Sequence, residues 1–126
     1  MIKFFKNIFY VSILFLLAIS LFPGSLFGLL FYGDLNKGFE IIENTIVSIN
    51  HTIVYFYISL LGFSIYHKNY DPRKILYIFF FLSVIFEIVH IVVPNRTFEL
   101  RDLVGNILGV MVAYLTIKIY SLIIKI

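Results

Sequence analysis

Between Glu87 and Asp102 the chain sets Glu87, His90, Pro94, Asn95, Arg96, Glu99, Arg101 and Asp102. Most of these side chains can move a proton, hold an ion or accept a buried hydrogen bond. Glu87 and His90 are three residues apart, so on a helix they share one face. Asp102 and Asn106 are four apart and share another. His51, Tyr55 and Ser59 repeat the four-residue step in an earlier segment. A planar guanidinium holds a carboxylate through two parallel hydrogen bonds. Arg96 is therefore the expected partner of Glu87, with Asp102 competing for it. The candidate polar site comprises His51, Glu87, His90, Arg96, Asp102 and Asn106. If it catalyses, His51 or Glu87 acts as general acid or base and Arg96 holds an anion.

Glu87-x-x-His90 is also the spacing of carboxylate metal sites in helical bundles. His51 and Asp102 would add donors that zinc accepts. Such bundles carry the motif twice and this chain carries it once, so no metal and no cofactor are expected. There is no serine-nucleophile motif, phosphate-cradling loop or metalloprotease motif. With no cysteine, disulfide and thiolate chemistry are excluded.

The elements that must position these residues are apolar. The chain is 61% hydrophobic and 13% charged, with a mean hydropathy of +1.01. Soluble domains are about 45–50% apolar and about 25% charged, so the bilayer is the expected solvent and membrane lipids the expected partners. The net charge of +3 is spread along the chain; nothing resembles a nucleic-acid surface. Crossing a hydrocarbon core of about 30 Å takes roughly 20 apolar residues. Four segments meet that need, near 4–22, 48–67, 74–93 and 101–123. The expectation is one all-α domain of four transmembrane helices in a bundle.

Pro23-Gly24 should end the first helix and leave "SLFGLLFY" as a short piece in or near the interface. A weak small-residue cleavage site follows Ser20, but the apolar run continues to Tyr32, longer than a signal-peptide core. We expect the segment to be retained. In "LNKGFEIIENTIVSIN", Leu35, Phe39, Ile42, Ile46 and Ile49 step by three or four residues. Two readings stay open: an interfacial amphipathic helix, or an extension of helix two. Among small residues, Gly105, Gly109 and Ala113 form a run that lets membrane helices approach closely.

Lys and Arg in short loops set orientation. Seven lie at the N-terminus (Lys3, Lys6), in the 67–74 loop (Lys68, Arg73, Lys74) and near the C-terminus (Lys118, Lys125), against Lys37, Arg96 and Arg101 in the other two connections. Both termini are thus expected in the cytoplasm. His51, Glu87, His90, Arg96, Asp102 and Asn106 would then meet at the outer face.

The run from Glu87 to Gly109 resembles the signature of VanZ-like membrane proteins, which reads approximately E-x-x-Q-x-x-x-P-G-R-x-F-x-x-x-D-x-x-x-N-x-x-G. Glu87, Pro94, Arg96, Phe98, Asp102, Asn106 and Gly109 match. His51 with Tyr55 fits the family's earlier histidine-aromatic pair. His90 stands where the family usually has Gln, Asn95 where it has Gly, and Val47 where it has Asp. The resemblance covers about residues 45–115. It implies a small integral protein of the bacterial cytoplasmic membrane, in a family named for a protein associated with low-level teicoplanin resistance.

The leading expectation is an outer polar site that binds or handles an envelope lipid, glycan or peptide. One alternative is a small intramembrane hydrolase or transferase acting on such a component. Another is an accessory subunit of an envelope-synthesis complex. A third is that Glu87, Arg96 and Asp102 only staple the outer loop to the bundle.

Overall fold

In the computed structural model, residues 2–124 are described, and among them there are five helices and no strand. They are α1 (Ile2–Leu21), α2 (Leu26–Tyr32), α3 (Ile49–Tyr66), α4 (Pro72–Val89) and α5 (Leu100–Ile124). Lys125, counted in the charge asymmetry above, lies outside the described residues. The helices α1, α3 and α5 are long and apolar enough to cross a membrane, with mean hydropathies of 2.0, 1.2 and 2.1. The fourth predicted span corresponds to α4, which has 18 residues, a length of about 27 Å. It carries Arg73, Lys74 and Glu87 and falls short of the others by charge.

The helices stop where local chemistry dictates. After α1, Gly24 takes a left-handed φ of 80°, and its N–H donates to the Pro94 carbonyl at 3.1 Å. This corner therefore rests on the α4–α5 loop. Ser25 caps α2 by accepting the Gly28 N–H at 2.8 Å, and Gly33 closes that helix in left-handed conformation. Asp71 caps α4 by accepting the Arg73 N–H at 2.9 Å, with Pro72 at the first helical position.

Two predicted boundaries shift. Helix α4 ends at Val89, four residues early. Beyond it Ile91 and Val92 donate to carbonyls three residues back, Ile88 and Val89, at 3.0 Å. Pro94 disfavours helical backbone at Val93, and Asn95 turns the chain with φ 57°. The predicted amphipathic helix near 35–50 does not form, nor does α3 extend back through it: the segment is turns and irregular chain up to Ile49. A side chain replaces the ladder there. Asn50 accepts the Ile41 N–H at 2.9 Å through Oδ1 and donates to the Phe39 carbonyl through Nδ2. Asn44, at φ 58°, interrupts any helical path. The apolar stripe is partly used nonetheless, since Phe39 packs on Phe27 and Phe31 of α2.

The core lies between α3, α4 and α5. Tyr55, Ile58, Phe63, Ile75, Phe79, Val110 and Ala113 are buried together, and Phe9, Ile13 and Leu16 of α1 pack on them. The closest approach joins α3 and α5. A Cβ at Gly105 would lie 2.6 Å from the Ser48 carbonyl oxygen, and one at Gly109 would overlap the Thr52 carbonyl. Only glycine admits that contact. It brings the first turns of α3 and α5 side by side.

Candidate functional site

Four helix ends meet at one pole of the bundle: the C-termini of α1 and α4 and the N-termini of α3 and α5. The N–H of Ser48 donates to the Arg101 carbonyl at 3.2 Å, which locks the start of α3 to the start of α5. His51 then faces Asp102 and Asn106. Its Nδ1 lies 2.9 Å from Asn106 Oδ1 and its Nε2 lies 3.5 Å from Asp102 Oδ2. Asn106 is buried and donates through Nδ2 to the Ser83 carbonyl at 3.5 Å. That bond points its Oδ1 at His51, so His51 Nδ1 is the donor.

Glu87 enters from the last turn of α4 and is 0% exposed. Oε1 accepts the Glu99 N–H at 3.0 Å and lies 3.4 Å from His90 Nδ1. Glu99 immediately precedes α5, so a side chain of α4 holds the backbone entering the next helix. Among the described residues, Glu87 Oε2 and His90 Nε2 have no hydrogen-bond partner. An unpaired oxygen on a fully buried carboxylate is costly.

Arg96 corrects the expected pairing. Among the described residues, no ion pair joins it to Glu87 or Asp102. Nη2 donates to the Ile19 carbonyl at 3.0 Å and Nε to the Phe22 carbonyl at 3.4 Å. These are carbonyls at the end of α1, where the negative end of the helix dipole lies; the Ile19 carbonyl also accepts the Phe22 N–H at 3.2 Å. Burial pulls the guanidinium below its ordinary value, and Asp102 and then Glu87 oppose that shift. It stays charged in water at any physiological pH.

The sequence reading missed two contributors. Glu40 and Arg101 form a two-point pair, at 2.9 Å for Nη1–Oε1 and 3.2 Å for Nη2–Oε2. Their opposite charges in the two connections placed on one side were a usable signal. The Glu99 contact is made by backbone and had no signal in residue type.

These groups surround a cavity of about 240 Å³. His51, Glu87, His90, Arg96, Asp102 and Asn106 all line it, and Tyr55 forms part of its wall. Apolar surface comes from Leu16, Ile19 and Phe86. One donor atom each from His51, Glu87 and Asp102 lies within 4.8 Å of the other two. His51 and Asp102 are partly open, at 26% and 20% exposure of their side chains, while Glu87 forms the floor. An imidazole oriented on one nitrogen by an amide can act as a base or ligand on the other.

The profile of the VanZ/LLP1 family matches residues 2–123, from the start of α1 to the last turn of α5. The chain belongs to the VanZ/LLP1 family. No individual curated protein and no solved structure matches it. Membership agrees with the VanZ-like resemblance of the Glu87–Gly109 run and extends it over the entire helical fold. As a VanZ/LLP1 protein, the chain places its signature residues on the α4–α5 connection and on the faces of α4 and α5 that meet there.

Proposed function

We propose that this VanZ/LLP1 protein crosses the bacterial cytoplasmic membrane four times, with both termini in the cytoplasm. Its cavity opens outward and binds an envelope lipid, glycan or peptide. Binding alters susceptibility to glycopeptides of the teicoplanin type. The observation that carries this reading is the cavity itself. Ionisable groups within membrane helices cost at least about 2.5–3.5 kcal/mol each on insertion scales, yet several helices bring them to one cavity.

Other features support the arrangement. The charge asymmetry favours cytoplasmic termini. Arg73 and Lys74 at the start of α4 can extend to the headgroups, and Glu87 near its other end is buried in protein. Helix α4 then spans without exposing charge to lipid. A staple would use Arg96 to neutralise the carboxylates. Here Arg96 serves α1 instead, and Glu87 Oε2 has no hydrogen-bond partner among the described residues.

Asp102→Asn and His51→Gln test the reading in cells that lack the native gene. At matched protein levels and melting temperatures, both should return teicoplanin susceptibility to that of the empty strain. Wild-type behaviour from both variants would refute the binding role. The oriented His51 also favours a second reading, a hydrolase or transferase on the same component. Envelope lipid and glycan profiles that change with the protein's presence would select it.

A further inference from the structure

We propose that His51, Glu87 and Asp102 form a binding site for a divalent transition cation of the zinc class, open toward the cavity. The separation of His51 Nε2 from Asp102 Oδ2, 3.5 Å, is at the long limit of an N–H···O contact, whose usual span is about 2.7–3.2 Å. It fits two ligands on one metal. With bonds of about 2.0–2.2 Å and tetrahedral angles, neighbouring ligand atoms stand about 3.4 Å apart.

The tautomer agrees. Asn106 is anchored on the Ser83 carbonyl and takes the proton of His51 Nδ1. In the neutral ring this leaves the Nε2 lone pair facing a carboxylate oxygen, which is repulsive without a cation between them. A hydrogen bond from the second ring nitrogen is the usual means of orienting a metal-bound histidine.

Glu87 supplies the independent sign of a missing ligand. It is fully buried, it lines the cavity, and its Oε2 has no partner among the described residues. Oε1 is already committed to the Glu99 N–H. One carboxylate oxygen of Glu87 lies within 4.8 Å of a donor atom of His51 and of Asp102. Arg96 is occupied by α1 carbonyls, so among the described residues neither Glu87 nor Asp102 is paired with a lysine or arginine, and each has only a histidine beside it. Three protein ligands with a vacant fourth direction are what a site needs to bind an oxygen of a second molecule. Imidazole and carboxylate donors suit zinc and its neighbours, whereas magnesium prefers oxygens and retained water. The site stands on these side chains alone and does not depend on the identity of any envelope ligand.

The test uses the full chain, purified in detergent without a metal-binding tag and stripped by chelator. Calorimetric titration with zinc chloride should show one saturable site per chain, with magnesium chloride giving none. Cobalt(II) should bind with visible ligand-field absorption that zinc displaces, a readout needing no variant. His51→Ala should abolish the site. Asn106→Ala, which leaves all three ligands, should weaken zinc about 10–100-fold. Absence of saturable zinc and cobalt binding by folded wild-type protein would overturn the proposal. So would zinc binding unchanged in folded His51→Ala. Neither readout involves an envelope component, so failure here leaves the binding role to its own test.

Discussion

Glu87 of α4 accepts the backbone N–H of Glu99 at 3.0 Å, so one fully buried carboxylate holds the entry to α5. The bond needs an acceptor, not a charge. Glu87→Gln presents the same acceptor and should keep the melting temperature near that of the wild type. Glu87→Ala removes the charged acceptor of this part-buried bond and should lose about 1–3 kcal/mol in chemical unfolding. Equal losses from both variants would show that the charge itself is what the fold needs.

Arg96 is bound to the last carbonyls of α1, so its removal should be felt there and not in α5. Arg96→Met keeps much of the stem and should cost about 2 kcal/mol, from two charge-assisted bonds and a helix-end interaction. Arg96→Lys retains the charge but not the fork and should lose about half as much. Hydrogen exchange should quicken at 19–22 in both. Unchanged protection at those amides would remove Arg96 from its place at the end of α1.

The α3–α5 seam gives a sharper steric contrast. A methyl at Gly109 meets backbone atoms of Thr52 and Phe56, which cannot rotate away. Gly109→Ala should cost about 1–3 kcal/mol by forcing the helices apart. It should also disturb the His51–Asn106 bond one turn away. Leu108 is exposed on the same helix, and Leu108→Val should stay within about 0.5 kcal/mol of the wild type. Comparable losses at both positions would deny the close approach.

The chain has no cysteine, so single cysteines report topology cleanly. Thr97 in the α4–α5 connection and Asn69 in the α3–α4 connection are both exposed. With an outward cavity, Thr97→Cys reacts with a membrane-impermeant maleimide in intact cells and Asn69→Cys reacts only after lysis. The reverse pattern would invert the proposed orientation.

Helix positions were legible because apolar runs and their breakers are local signals. The family, too, could be recognised from spacing alone, through Glu87, Pro94, Arg96, Asp102 and Asn106. The pairing of Arg96 was not legible. From sequence Glu87 and Asp102 are its expected partners, but α1 arrives beside it only in three dimensions and offers the carbonyls of its C-terminal end. The 35–50 stripe misled for a related reason. Its helical spacing is real, yet Asn50 satisfies the Phe39 and Ile41 backbone groups that a helix would otherwise pair. Side-chain substitution for backbone bonds leaves the hydrophobic period untouched. For the six candidate site residues, order and helix register placed them at one end; their distances and the identity of each hydrogen-bond acceptor required the fold.

Occupancy of the cavity is the most direct test. Protein drawn from bacterial membranes with its surrounding lipid can be weighed intact by native mass spectrometry. If the cavity binds an envelope component, wild-type protein carries one such molecule beyond exchangeable phospholipid. Asp102→Asn of equal melting temperature loses it. An empty wild-type cavity, or the same occupancy in both proteins, would contradict the binding role.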